Sequence, residues 1–524
     1  MTKGIISNAD LRKNLKTSAF VLYVAMTFFA MLFWASTNFF FLSDDFGHDA
    51  GLFAYIGYAV TQGKVMYLEA WDNKGPLLYL IYALGILIDY RYGVCIIEFI
   101  TLLSTILLLY KTANLFLTKE ASTVCAIACV MPFTKLLEGG GFSEEFALPF
   151  TILAFYLISK YLVNGFKLKK IEMVIVGACI SAVFLLRMNI LAFLGCAVLG
   201  VIIILIKNKK YKDIGTVFVF ALTGFVIFLI PFVVFLVSTG ALKACIESAY
   251  LQTLGSFADM TFMNRLNAVN LMAQEMAGSG YLYVMLLFLF LFLLKAIAYK
   301  EKSKTAFDQL CWISVFGMIA TLFVNGLSGA AHRHYFISFI PVLIIPLVAL
   351  TKMLFELIDE KCSEKFRTDD FKAAAAWILV VLISASGLFS MIKYYIGSKN
   401  PDYMSYARSV AKFIEDNTDE TDLIEVIGDG SAVTSYYGAK RMAASNYLYY
   451  ANGRFSDDAK IRFATKIYDD VTRTEPKLIM FEDVTGKLQD FKDHCNHSKE
   501  WDEFISENYT LVENPFEYTI YMHK

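Results

Sequence analysis

GPLLYLIYALGILID, residues 75–89, is apolar almost throughout, yet it opens on Gly75-Pro76 and is too short for an easy crossing of a bilayer. A membrane-spanning helix needs about 20 apolar residues. Whether this segment crosses decides the side on which every later loop emerges. If it does not cross, the N-terminal segment and the loops at 111–120, 160–170, 207–213, 295–304 and 352–372 share one side and together carry 23 Lys or Arg residues. The opposite loops, 42–91, 134–145, 187–188, 239–279 and 326–333, carry eight. Basic residues collect in cytosolic loops, and a crossing at 75–89 would invert every later assignment. The segment therefore reads as a helix lying in or dipping into the outer leaflet, with the N-terminus cytosolic and the C-terminus outside.

The rest of the chain sets this decision in a membrane context. Of 524 residues 57% are hydrophobic and 18% charged, with a mean hydropathy of +0.53. That is far from the usage of soluble domains. Runs near 18–41, 92–110, 121–137, 146–163, 171–186, 189–206, 214–238, 280–298, 307–325, 334–351 and 373–392 are candidate spans, eleven in all. The first is too long for a signal-peptide core and has no small-residue cleavage site, so it reads as a retained helix behind Lys3, Arg12, Lys13 and Lys16. The expectation is a multi-pass plasma-membrane protein. The nine cysteines are scattered, most of them inside apolar runs, and read as small core residues. His494, Cys495 and His497 cluster in the tail, where an incidental grouping is the better reading than a metal site.

Beyond residue 400 the apolar runs shrink to strand length at Leu423–Ile427, Lys477–Phe481 and Thr519–His523, with charge-rich helical segments between them. This predicts a small α/β domain over 401–524 behind a membrane domain over 1–400. The tail holds 23 acidic and 14 basic residues, a poor surface for nucleic acid. The chain has no GxxxxGK[ST] or GxGxxG phosphate loop and no internal repeat of the transporter kind. The predicted fold is thus a polytopic α-helical membrane protein with an outer juxtamembrane helical loop and a small extracytoplasmic α/β domain.

The reactive side chains gather on the predicted outer face. The first loop offers Asp49, Asp72 and Lys74. The loop EGGGFSEEFALP offers Glu144 and Glu145, Arg187 and Asn189 lie at a later outer turn, and NGLSGAAHRHYF offers His334 and Tyr335. A carboxylate that takes a proton and a lysine that holds a phosphate, both at a lipid surface, point to chemistry on a lipid-linked phosphate. Each piece also has a plainer reading. Asp49 suits the N-cap of an amphipathic helix, Asp72 and Lys74 a solvated turn, Glu144 and Glu145 the acidic first turn of a helix, and Arg187 a headgroup anchor. Arg91 and Glu98 read as a structural ion pair.

The run HDAGLFAYIGYAVTQGKVMYLEAWDNKGPLLYLIYALG, residues 48–85, resembles the first outer loop of the polytopic glycosyltransferases of the GT-C class. These are the protein O-mannosyltransferase and aminoarabinose-transferase-like enzymes that use polyprenyl-phosphate sugars. The matching pieces are Asp49, Gly63, Tyr67 and Lys74-Gly75-Pro76-Leu77. Looser matches follow at EEFALP (144–149), RMN (187–189) and HYFISFIP (334–341). Two departures stand out: Ala50 replaces the second acid of the family's Asp-Glu pair, and Gly75 replaces the first proline of its Lys-Pro-Pro.

The resemblance implies an inverting transferase. Asp49 would be the catalytic base, Lys74 and Arg187 would bind the donor phosphate, and Asp72, Glu144, Glu145, His334 and Tyr335 would contact substrate. It implies a polyprenyl-phosphate sugar donor, a glycan, lipid or protein acceptor, and membrane lipid as partner. No cofactor is called for, a divalent cation being the one open candidate. The rival readings are a flippase for a lipid-linked glycan, a wall-polymer ligase or polymerase, and a sensor with the tail as ligand domain.

Overall fold

The computed structural model describes residues 48–130, 136–137, 139–167, 169–251, 261–278, 280–298, 305–327, 332–361, 371–372, 374–375, 378, 401–428, 430–448, 457–482 and 486–524. The spans expected at 18–41 and, almost entirely, at 373–392 lie outside those residues. Six described helices are long and apolar enough to cross a bilayer, and a bent pair makes a seventh.

The first loop builds two helices, α1 (His48–Thr61) and α2 (Pro76–Ile88). Pro76 sits in the first turn of α2, where its missing N–H costs nothing. The 13 residues of α2 rise about 20 Å, short of the ~30 Å hydrocarbon core. Its Leu84, Leu87 and Ile88 are exposed while Leu78, Tyr79 and Tyr82 are buried, the pattern of a helix with one face turned to lipid. In α1, Leu52, Phe53, Ala54, Tyr55, Ile56 and Ala59 are all buried. A helix apolar all round must be covered all round. Here α2 covers one side and the tail covers the other, so α1 is a core element rather than a surface amphipath.

The bundle continues with α3 (Gly93–Ala113), α4 (Lys119–Val130), α5 (Ser143–Val163), α6 (Lys170–Leu186), α7 (Leu191–Lys207) and α8 (Tyr211–Ser238). It closes with α9 (Phe262–Gly278), α10 (Tyr281–Ala298), α11 (Ala306–Gly326) and α12 (Ile340–Lys361), with α9 and α10 meeting at 93°. Glycines let α6 and α8 approach backbone to backbone. A Cβ at Gly177 would lie 1.7 Å from the Ala221 carbonyl oxygen, and one at Gly224 would lie 1.8 Å from that of Val174. Small residues are the usual means of tight helix packing where lipid offers no hydrophobic drive.

The tail forms a five-stranded sheet of order β2-β1-β3-β5-β4. The strands are β1 (Leu423–Ile427), β2 (Met442–Ala443), β3 (Leu478–Glu482), β4 (Tyr509–Val512) and β5 (Tyr518–His523). β2, β1 and β3 run parallel, and β5 is antiparallel to both β3 and β4. The helices are α13 (Pro401–Asn417), α14 (Gly430–Ala439), α15 (Asp457–Thr474), α16 (Lys487–His494) and α17 (Ser498–Asn508). Side chains alternate between the two faces of a strand. Ile424, Val426, Leu478 and Met480 join the core that runs into α1, while Ile427, Ile479 and Phe481 form a second core with Phe463, Phe491 and Trp501. Trp71, from the first loop, is inserted in that second core.

Candidate active site

Asp49 lies in the first turn of α1, one residue inside its start, so its carboxylate faces the positive end of the helix. It is half-buried. Burial alone would raise its pKa, but the charges of Lys74, His334, His332 and Arg187 outweigh that and hold the carboxyl below its ordinary value. Lys74, Arg187 and His334 come from three separate loops, and all act on this one acid.

Lys74 is fixed through its backbone. The Tyr67 hydroxyl donates to the Lys74 carbonyl (2.8 Å), and the Lys74 N–H donates to the Tyr79 hydroxyl (3.1 Å), which in turn donates to Asp72 (2.9 Å). Asp72 is therefore buried in the frame of the loop. Tyr67 adopts the left-handed conformation (φ 68°), rare for a bulky residue and held here by its buried ring. The Lys74 ammonium donates to Asn73 Oδ1 (2.8 Å) and stands 5.7 Å from the centre of the Phe53 ring. Among the described residues no carboxylate lies within ion-pair distance of it.

Gly75 explains the departure from Lys-Pro-Pro. Its N–H donates to the Leu186 carbonyl (3.1 Å), and a Cβ there would lie 2.0 Å from the Leu185 carbonyl oxygen. Proline would remove the donor and any side chain would collide, so the loop is sewn directly to the end of α6, next to Arg187.

Arg187 is extended between α6 and the short turn that precedes α7. Its Nη1 donates to Glu144 in a short ion pair, and its guanidinium lies 4.6 Å from the centre of the Tyr335 ring. Glu144 also accepts from Ser143 Oγ (2.9 Å). Arg187 thus arrives largely neutralised, and Glu144 is buried beneath it. Glu145 is buried as well, accepting from the Gly141 N–H (2.8 Å) and meeting Glu98 of α3. Gly139, Gly140 and Gly141 all take positive φ, a path open to three successive residues only as glycines. Tyr82 donates to the Gly141 carbonyl (2.8 Å), tying α2 to this turn.

His334 stacks on Phe142 (4.2 Å, 5°) and meets Tyr335 edge-on (4.8 Å). Both His334 and Tyr335 are buried. Their turn is held by Asn325, which donates to Ser338 Oγ (2.9 Å) and accepts from Asn189 (3.3 Å). Arg333 points away to Glu275 on α9 (3.4 Å).

The geometry therefore gathers Asp49, Lys74, Arg187, His334 and Tyr335, and places Asp72, Glu144 and Glu145 in the supporting frame. Sequence reasoning missed Tyr79, Phe142 and Asn325, whose partners are set by tertiary packing. Arg91 is exposed over the Tyr92 ring (5.1 Å), while Glu98 is buried. Among the described residues no three His, Cys, Asp or Glu side chains converge on a metal-sized site. In the tail cluster, His494 Nδ1 contacts the Asp490 carbonyl (2.8 Å) and His497 stacks on Tyr468.

The chain is similar to known proteins in sequence profile and in fold. Residues 53–381 match the family described as Putative competence-induced protein Ccs4 N-terminal domain. No curated protein matches the sequence. The crystal structure of ArnT from Cupriavidus metallidurans bound to undecaprenyl phosphate superposes with a TM-score of 0.61 at 11% identity, covering 96% of this chain and 98% of that one. Its apo state gives 0.59 at 10% identity, over 97% and 98%. An Archaeoglobus fulgidus oligosaccharyltransferase in complex with zinc and sulfate gives 0.48 at 13% identity, over 95% of this chain and 73% of that one. The fold of this chain is that of ArnT, a GT-C-like membrane fold.

Proposed function

We propose that the chain, which belongs to the family of putative competence-induced protein Ccs4 N-terminal domains, is an inverting membrane glycosyltransferase. It moves a sugar from a polyprenyl-phosphate donor to an acceptor on the outer face of the plasma membrane. The observation that carries this reading is a single electrostatic unit: an ionised, half-buried Asp49 and the Lys74 ammonium, which acts on it more strongly than any other charge and, among the described residues, is otherwise held only by Asn73 and the Phe53 ring. A base and a cation side by side suit a reaction that removes a proton and releases an anion. The ArnT structure holds undecaprenyl phosphate, which supports a lipid-linked donor.

In the proposed step an acceptor hydroxyl or amine attacks the anomeric carbon from the face opposite the phosphate. Its proton passes to Asp49 as the new bond forms. The bond from the anomeric carbon to the phosphate oxygen breaks, its electron pair leaves with the polyprenyl phosphate, and the sugar centre inverts. Lys74 meets the charge growing on the leaving phosphate, where a charge-assisted contact is strongest in a water-poor site. Arg187, balanced by Glu144, adds orientation more than net charge. His334 and Tyr335, stacked on Phe142 and under Arg187, back the wall of the sugar site. In this arrangement the tail lies outside and the N-terminus in the cytosol.

The test is transfer by the purified protein in liposomes carrying radiolabelled polyprenyl-phosphate sugars, with Asp49→Asn alongside. Loss of transfer by a normally folded variant supports the reading, and near-normal turnover removes Asp49 from it. A flippase for a lipid-linked glycan is the second reading, favoured by the buried Glu98 and Glu145 within the bundle. Donor that changes leaflet without losing its sugar would decide for it.

A further inference from the structure

β2 is an edge strand, paired on one side with β1 and open on the other. Edge strands leave a row of backbone groups without partners. On the open side of β2 the first loop supplies what a sixth strand would. The outward N–H of Ala443 donates to the Tyr55 hydroxyl (2.8 Å), while the next N–H, of Ala444, turns inward to Ile424 (2.8 Å). Further on, the Trp71 N–H donates to the Asn446 carbonyl (2.8 Å), Asn446 Nδ2 donates to the Leu68 carbonyl (3.2 Å), and Trp71 and Tyr447 form a parallel bridge.

Side chains lock the same seam. The Tyr55 ring packs on Tyr436 (5.1 Å), and the Trp71 indole lies against Phe463 (5.2 Å). A Cβ at Gly51 would meet Thr434 at 2.4 Å, so α1 and α14 touch there at closest approach. Tyr90 and Tyr437 stack face to face (4.6 Å, 6°), and each hydroxyl donates to the other's carbonyl. The stretch 444–447 is anchored from behind, because the Ser445 N–H and hydroxyl both donate to the buried Glu425 (2.9 and 2.7 Å).

We propose that this sheet edge positions the site: Tyr55 and Trp71 are positioning residues that hold Asp49 and Lys74 in register with each other. Asp49 lies two residues before the Gly51 contact, and Lys74 lies three after Trp71. A helix moves as a rod, so a shift at Tyr55 is carried to Asp49. A misplacement of about 1 Å costs on the order of 10²-fold in rate. The α/β unit is then part of the transfer machinery rather than an appended module. The proposal rests on the transferase reading above.

The test uses full-length protein in nanodiscs and three variants: Tyr55→Phe, Asn446→Ala, which removes the side-chain bond to the Leu68 carbonyl, and Ser445→Ala, which alters the sheet edge without touching the first loop. Amide hydrogen exchange over 48–74 and steady-state transfer are both measured. One lost hydrogen bond should lower protection of these amides about five- to tenfold. Turnover should fall at least tenfold while the donor KM stays within twofold, whereas a purely structural role would lower the amount of active protein and leave both constants unchanged. Unchanged protection in all three variants overturns the proposal, as does lost protection with intact kcat. A wild type that transfers no sugar yet shows the same exchange response overturns the transferase reading instead, so the two failures are told apart.

Discussion

Gly75→Ala is the sharpest perturbation of the site that leaves every polar side chain in place. The added Cβ would lie 2.0 Å from the Leu185 carbonyl oxygen, 2.6 Å from the Leu185 carbonyl carbon and 2.9 Å from the Leu186 oxygen. Real Cβ contacts essentially never fall under 3.0 Å, so the two segments must part by about 1 Å. All three atoms are backbone at the end of α6, fixed in turn by the Arg187 N–H donating to the Val183 carbonyl (2.9 Å), and no side chain can swing aside. Overpacking of this kind costs about 1–3 kcal/mol. The parting also stretches the Gly75 bond to Leu186, adding about 1 kcal/mol. The expected loss is thus about 2–4 kcal/mol, with Lys74 displaced from Arg187 and transfer reduced about 10²-fold. Gly75→Pro should be at least as harmful, since it removes the donor as well. The assay is thermal unfolding in detergent, with Gly195→Ala as the control. A Cβ at Gly195, inside α7, meets nothing within 4 Å, and alanine there should be neutral or stabilising by up to about 1 kcal/mol. If the two variants unfold alike, the close approach at Gly75 does not exist as described, and the join between the first loop and α6 falls with it.

Lys74→Gln should weaken donor use by about 1.5–3 kcal/mol while leaving acceptor KM unchanged; equal donor affinity at saturating acceptor would remove Lys74 from the site. Burial drives the Glu425 carboxyl up from 4.5 to about 8 despite its bonds from Ser445. Tyr55 of α1, Tyr436 of α14 and Asp470 of α15 surround it, and Asp470 is itself paired with Lys466 and Arg473. A raised folded pKa gives stability that is complete below the unfolded value and lost as pH rises through the folded one. The wild type should therefore lose stability between about pH 4.5 and pH 8, and Glu425→Gln should lack that slope in melts taken across the range. Single cysteines in a background free of the nine native ones should label from outside at Glu69 and Glu503, and only after permeabilisation at Asn114 and Lys209. All four positions are exposed, whereas Ser143 is buried and would not report on sidedness. Outside labelling at Asn114 would mean that residues 75–89 cross the bilayer.

The sequence displayed the parts of this protein that depend on local composition. The shortness of 75–89 and its Gly-Pro opening are visible in a string of letters, and α2 follows them. Asp49 and Lys74 were conspicuous because charged residues crowd one aromatic loop. Strands occupy Leu423–Ile427, Leu478–Glu482 and Tyr518–His523, runs whose length and β-branched content read as strand, while the four-residue β4 carried too little pattern to notice. The frame of the site was hidden for a different reason. Glu144 meets Arg187 across 43 residues, and His334 stacks on Phe142 across nearly two hundred. No spacing rule reaches so far. A buried acid such as Asp72 looks, as a letter, the same as an exposed one; only the packing of Tyr79 shows which it is. Gly75 read as a flaw in a motif, and the carbonyl of Leu185 shows it to be a requirement.

The hydrogen bond between Ala443 and Tyr55 joins residues 388 apart in the chain. During synthesis the first loop leaves the translocation machinery while most of the protein has yet to be made. At that stage Tyr55 and Trp71 have no sheet to lean on, and the seam waits for the α/β unit to be made and to fold. Contacts of such sequence separation form late and slowly. On the proposed transferase reading, such an enzyme stays inert through its own assembly and gains its register only once the α/β unit is in place. On that reading, copies truncated before the α/β unit would occupy the membrane without consuming the proposed lipid-linked donor.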